Sequence, residues 1–510
     1  MQSSKEIKIG AILSYVIIVV NMLIGVLYTP ILTAKLGQTE YGLYSLVTSV
    51  ISYLTILDFG FGNAIIIYTT RYRNKNEKDK EQKLHGMFFI IYTIIGIIAG
   101  IIGAILWLNV DKLFGNTMST DELSKAKILM GILTFNLVVT FPLSVFSSII
   151  TSYEKFVFSK ILNLTRIILN PIVMIVLLNF GFKSIALVIL NTIFNIGTLI
   201  LNYIYCKIRL KIKLKFGKID FKLLKEIMAY SVWIFLNSIM DKINWSLDQF
   251  VLGIYSGSVA VAIYSVGGQL NQMFVNFSTA ISGVLLPKVT KMESDNASDE
   301  QFTEIFIKTG RIQYIVMALI LSGFLLYGRE FINIMWVGPE YSESYIIACI
   351  LMVPNIIPLI QNVGLNILQA KNEYKFRVVI LMIFAIVNVC ISIFLSKIYA
   401  GIGAAIGTSI STFLGQIVFM NIFYHKKIGI NMIRFWKNIL KMSIPIVFIF
   451  ILAILLKTIV PIHNEFILIV QIILYTLLYV LSMYRFSINK YEKQLILEPI
   501  NKIVRRSKNA

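Results

Sequence analysis

The sequence predicts an all-α integral membrane protein of fourteen transmembrane helices: two pseudo-symmetric six-helix lobes around a central cavity, followed by two C-terminal helices. Three observations predict it. The 510 residues are 57% hydrophobic and only 14% charged, with a mean hydropathy of +0.79, whereas about a quarter of a soluble globule is charged. The apolar residues fall into long stretches joined by short basic ones. The first six stretches then recur in the next six at a constant shift of 220 residues.

A bilayer core about 30 Å thick takes about 20 helical residues to cross. Stretches of that length cover residues 9–34, 41–69, 87–109, 124–150, 158–179, 183–206 and 226–253 in the first part of the chain. The remaining ones cover 258–287, 310–337, 343–370, 376–396, 401–424, 438–458 and 464–486. Lys5 and Lys8 precede the first stretch as in a signal peptide, but no small-residue cleavage site follows, so it is a retained span. With the N-terminus inside, 37 of the 47 lysines and arginines fall on the cytoplasmic side, as the positive-inside rule requires. The net charge of +21 thus belongs to loops beside an anionic leaflet, which excludes nucleic acid as the partner. Both termini are expected in the cytoplasm, in a multi-pass protein of the cell membrane.

The repeat fixes the organisation. Gly37, Tyr44 and Ser45 match Gly257, Tyr264 and Ser265; Lys155 and Phe156 match Lys375 and Phe376; Gly181 matches Gly401. Six spans separate the copies, an even number, so both lobes have the same orientation and their pseudo-twofold axis lies along the membrane normal. The expected domains are an N-terminal lobe at 1–206, a basic linker at 207–225, a C-terminal lobe at 226–425, two helices at 426–486 and a basic tail at 487–510.

Polar groups inside the spans carry the functional signal. The seventh span holds Asp241, Lys242 and Asp248, and each such charge facing lipid costs about 2.5–3.5 kcal/mol at mid-bilayer. Asn237, Asp241, Asn244 and Asp248 recur at helical spacing on one arc, and Gln269, Gln272 and Asn276 do the same in the eighth span with Ser265 and Thr279. Two polar stripes on neighbouring helices point to a shared hydrated cavity, the alternative being that these groups only bond helix to helix. The tenth span sets Asn362 and Asn366 on another stripe beside Pro354 and Pro358, a kinked helix facing the cavity. Asp58 with Gly60 and Gly62 near the inner end of the second span marks a helix cap or hinge, or a site of proton or ion coupling.

Chemistry of other kinds finds no footing. Cys206, Cys349 and Cys390 are too dispersed for disulfides, and His85, His425 and His463 for a metal, so neither a metal nor a cofactor is expected. There is no phosphate-binding loop, nucleophile elbow or zinc-helix motif. The longest outer connection, at about 110–123, leaves little room for a catalytic domain, so the chain is expected not to be an enzyme.

LGQTEYGLYSLVTSVISYLTILDFGFGNAI at 36–65, DQFVLGIYSGSVAVAIYSVGGQL at 248–270 and VLLPKV at 284–289 resemble the signatures of polysaccharide flippases in the multidrug/oligosaccharidyl-lipid/polysaccharide exporter superfamily. The resemblance covers nearly the whole chain, with one departure at Ala262, where the family often has Gly. It implies that a polyprenyl-pyrophosphate-linked oligosaccharide is turned from the inner to the outer leaflet by alternating access. The implied partners are that substrate, membrane lipids, and the glycosyltransferases and polymerase of the same pathway. A pyrophosphate calls for cations, for which Lys242 is the first candidate, with Arg166 and Arg311 behind it. An internal pair with Asp241 or Asp248 is the alternative for Lys242, and snorkelling to the inner interface for the two arginines. Two other functions compete: a cation-coupled drug or metabolite antiporter of the same superfamily, and an integral-membrane glycan polymerase or ligase, against which the lack of a large outer loop speaks.

Overall fold

The computed structural model describes residues 2–217, 220–282, 286–371 and 373–494; within the helices, the side chains of Asn237, Asp241 and Asn244 are among those outside the described residues. The described chain is helical, with no strand among the described residues. Ten helical stretches are long and apolar enough to cross a membrane. Two expected spans share Gln2–Leu54, and two more share Tyr374–Thr412. The seventh and eighth expected spans lie in Phe221–Tyr255 and Gly257–Ser282, which are not among those ten.

The chain forms two compact units, one of Met1–Val266 with Leu381–Thr408 and the other of Gly267–Ile380 with Ser409–Ala510. In the first unit, helices turn over with almost no loop. Gly37 (φ 77°) breaks Gln2–Leu54, and Gly257 (φ 82°) separates Phe221–Tyr255 from Gly257–Ser282. Both glycines occupy the left-handed region that a Cβ disfavours, and they are the two copies of one position in the repeat. The other glycine pair diverges: Gly181 is left-handed (φ 86°), but in the second copy the left-handed residue is Ala400 (φ 44°), one before Gly401.

Small residues let these helices touch. A Cβ on Gly42 would come within 1.8 Å of the Ser258 carbonyl oxygen, and one on Gly253 within 2.6 Å of Leu46. Hydroxyls complete the contact, Ser49 donating to the Ser246 carbonyl (2.6 Å) and Thr117 to that of Gly253 (2.8 Å). This is how membrane helices associate when lipid offers no hydrophobic drive. Ser49, which the repeat aligns with Gln269, is therefore spent on helix packing.

The second unit is cored by Phe302, Phe306, Ile360, Tyr424 and Phe435, with Phe306 edge-on to Phe435 at 5.0 Å. Its tenth span is bent where the prolines lie. Pro354 has no N–H for the Ile350 carbonyl, and the Ser409 hydroxyl donates to it instead (2.6 Å). The helix Glu343–Ile360 then ends, and Val363–Ala370 resumes after Gln361 and Asn362. Around this break Ser278 donates to the Leu359 carbonyl (2.8 Å), and Gln361 and Asn421 pair through their amides (3.0 and 3.3 Å). Backbone irregularity at membrane depth survives only when side chains take up the freed groups in this way.

The contact at Gly42 can be checked directly. Gly42→Ala must push two helices apart and is expected to cost roughly 1–3 kcal/mol, read as a lower melting temperature of the purified protein. Gly268→Ala meets nothing within 4 Å and is expected to leave stability unchanged or raised by under about 1 kcal/mol.

Candidate functional site

The seventh expected span begins at Asp220, whose carboxylate accepts the Leu223 N–H (3.0 Å) and caps Phe221–Tyr255. Lys242 is half-buried on this helix and engaged with its surroundings. Asn237, Asp241 and Asn244 belong to the adjoining stripe, and their side chains lie outside the described residues.

Asp248 was expected on an open wall; instead it is 2% exposed inside the first unit. Its Oδ2 accepts from the Tyr264 hydroxyl and from Thr408 Oγ1 (2.7 Å), while Oδ1 is buried with no hydrogen-bond partner. Behind Thr408, the Asn388 amide donates to its hydroxyl (3.2 Å), and Ser392 donates to Asn388 Oδ1 (2.9 Å). No ion pair to Asp248 occurs among the described residues, so hydroxyl donors alone surround the carboxyl. Asn388, Ser392 and Thr408 went unnoticed in the sequence, although the first two stand one helical turn apart and could have been found by the spacing that picked out Asp241 and Asp248.

Arg166 organises a second polar cluster in the same unit. The helix Phe156–Asn179 carries Arg166 and Asn170, and Ser184–Ile208 carries Asn191 and Asn195 at the same four-residue spacing. Arg166 Nη1 donates to Asn195 Oδ1 (3.3 Å), and the Asn195 amide donates to Asn136 Oδ1 and Thr140 Oγ1, both at 2.8 Å. One turn along, Asn170 donates to Asn191 (2.6 Å), which donates to the Tyr44 hydroxyl (3.4 Å). Arg166 thus heads an amide ladder drawn from the fourth, fifth and sixth spans. The asparagine stripe Asn191, Asn195 and Asn202 on the sixth span was the overlooked signal.

Asp58 closes a short 3-10 turn, Thr55–Asp58, and Phe59 (φ 51°) and Gly60 (φ 73°) are both left-handed before Phe61–Asn74 restarts the helix. Asp58 Oδ1 accepts from the Tyr92 hydroxyl (2.5 Å). Gly62 is not required by this contact: a Cβ there would sit at ordinary packing distance, 3.8 Å from that hydroxyl and 3.4 Å from Ser148 Oγ. The second span is therefore interrupted at the place where Asp58, Gly60 and Gly62 had marked a cap or hinge.

In the second unit Gln272 is exposed and donates to the half-buried Asn276 (3.0 Å) along its own helix, and Gln269 is half-buried and engaged. One residue off that stripe, Asn271 accepts from the Asn355 amide (3.1 Å). Asn362 is half-buried at the helix break and Asn366 is buried. Arg311 differs from its expected place at a cavity mouth. It is 7% exposed, its Nε and Nη2 donate to the two oxygens of Glu492 (2.6 and 2.9 Å), and Nη2 also reaches the Ser487 carbonyl (2.8 Å). A guanidinium that meets a carboxylate with both arms has its fork filled.

Residues 7–293, more than half of the chain, match the family described as polysaccharide biosynthesis protein. A putative O-antigen transporter of Shigella flexneri is 21% identical over 354 residues, spanning 68% of this chain and 81% of that protein. Among solved structures, the fold is similar to a lipid II flippase MurJ in an inward closed conformation, at 17% identity with a TM-score of 0.72 over 96% of this chain and 99% of that one. It is also similar to an inward-facing multidrug resistance MATE family transporter of the MOP superfamily, at 13% identity with a TM-score of 0.58 over 78% and 96% of the two chains. With that match over more than half of its length, the chain belongs to the polysaccharide biosynthesis protein family.

Proposed function

We propose that the protein is a flippase that carries polyprenyl-pyrophosphate-linked oligosaccharide repeat units from the cytoplasmic to the outer leaflet, for assembly of a cell-surface polysaccharide. The reading rests on the Arg166 ladder: a cation with a file of amides at membrane depth suits a ligand that is anionic at one end and rich in hydroxyls along the rest. Family membership supports it. In this proposal the two lobes, 1–206 and 226–425, rock about a cavity between them, with both termini in the cytoplasm. Lys242 and Arg166 hold the pyrophosphate; Asn237, Asp241, Asn244, Gln269, Gln272, Asn276, Asn362 and Asn366 meet the sugar hydroxyls. Arg311 is left out of the substrate path because Glu492 occupies it. Glycosyltransferases and a polymerase of the same pathway would supply and consume the substrate.

Asp248 has the geometry for coupling. A buried carboxylate with an orphan oxygen and no ion pair among the described residues costs several kcal/mol, and a proton or a small monovalent cation offsets that cost. Its exchange would bias Tyr264 and Thr408, which lie on different helical stretches. The bend at Asp58, Gly60 and Gly62 supplies a hinge for the same motion. Cation coupling is also what an antiporter of the superfamily would use, and the two functions part over the cargo.

Deleting the gene is expected to leave lipid-linked repeat units unpolymerised at the inner face of the membrane, scored by extracting and sizing the lipid-linked pool. Single units at the outer face would point to a polymerase instead. Lys242→Ala is expected to lower export roughly ten- to hundredfold, the worth of one charge-assisted hydrogen bond of about 1.5–3 kcal/mol, with membrane protein levels unchanged on immunoblots. Asp248→Asn is expected to fold and to abolish the response of transport in proteoliposomes to an imposed proton or sodium gradient, whereas a preserved response removes Asp248 from coupling.

A further inference from the structure

A groove of about 780 Å³ lies on the second unit between Met420–Lys426 and Met432–Ile459. On the longer helix Ile433, Lys437, Leu440, Lys441 and Ile444 share one face, by steps of four, three, one and three residues. Ile433, Leu440 and Ile444 are 72%, 64% and 70% exposed. On a membrane-spanning helix such a face is turned to lipid. The floor is Trp436, whose indole N–H is fixed on Asn421 Oδ1 (2.8 Å); Trp is the residue that favours the headgroup level of a bilayer.

The two lysines set this face apart. Three other basic residues at the same end have acidic partners, Arg434 with Glu300, Lys371 with Asp299 (3.1 Å) and Lys427 with Glu373 (3.9 Å), while Lys426 lies outside the groove lining. Neither Lys437 nor Lys441 makes an ion pair among the described residues, and both are exposed. Lys441 stands nine residues into its helix and three past the start of the expected span at 438, where the stem of a lipid-facing lysine snorkels back towards the interface. What this face lacks is an anion at headgroup level attached to apolar chains.

We propose that the groove binds an anionic glycerophospholipid, with its phosphate between Lys437 and Lys441 and an acyl chain along Ile422, Leu440 and Ile444. A zwitterionic lipid fits less well, because its own ammonium competes with the lysines for the phosphate. The proposal does not depend on the cargo the protein carries.

The test uses the purified full-length protein in detergent, offered equal amounts of phosphatidylglycerol and phosphatidylcholine and read by native mass spectrometry. Wild-type protein is expected to keep phosphatidylglycerol preferentially. The double variant Lys437→Gln, Lys441→Gln should hold it about thirtyfold less well, at about one decade per 1.4 kcal/mol and the per-lysine worth of a surface cation. Lys437→Arg with Lys441→Arg should keep it, and Leu440→Trp, which fills the groove and spares both cations, should lose it. Equal retention of the two lipids by wild type, or undiminished retention by the glutamine variant or by Leu440→Trp, overturns the proposal. So does preferential capture of a polyprenyl phosphate over phosphatidylglycerol, which would make the groove part of a substrate route.

Discussion

The constraint on which this structure depends is that a polar group at membrane depth has no water to pair with, so the protein must supply every partner itself. The bent tenth span shows the rule at the backbone: Pro354 frees the Ile350 carbonyl and Ser409 takes it up. The same rule at side chains produces the ladder from Arg166 through Asn195 to Asn136 and Thr140. Where it is only half obeyed, at Asp248, one carboxylate oxygen is left over. Incomplete pairing in a native protein is a reason to look for function.

The polar groups divide into those buried in helix packing and those that keep some exposure. Ser49, Ser278 and Gln361 are committed to carbonyls or amides of neighbouring helices and hold the packing. Arg311 belongs with them: with both arms on Glu492 and a further bond to the Ser487 carbonyl, it ties the end of the last helix to the helix Asp299–Glu330. Gln272 stays exposed, and Lys242 and Asn276 half-buried. The distinction is one of burial and geometry, which is why residue type alone cannot make it.

Much of the fold was legible in the sequence because hydropathy and helix length are read along the chain. The left-handed joints at Gly37 and Gly257 are the repeat expressed as backbone angle, and the break after Asp58 fell where Gly60 and Gly62 signalled it. The second-copy turn falls within the expected connection at 397–400, with Ala400 rather than Gly401 taking the strained angle. The site was less legible. Helical spacing gives the face a residue is on and not what covers that face, so Asp248 was read as open when Tyr264 and Thr408 enclose it. Arg311 was read as a cavity or interface cation because its partner lies 181 residues away in sequence.

The single-residue joints at Gly37 and Gly257 leave the chain no slack. One residue more or fewer between Gly257 and Tyr264 would turn the following helix by about 100° and carry the Tyr264 hydroxyl off Asp248; the same change after Gly37 would swing Ser49 away from Ser246. The connection at 109–119 is built differently: a short helix, Val110–Phe114, fills it with both end residues buried. The molecule thus keeps its rotational register at two glycines.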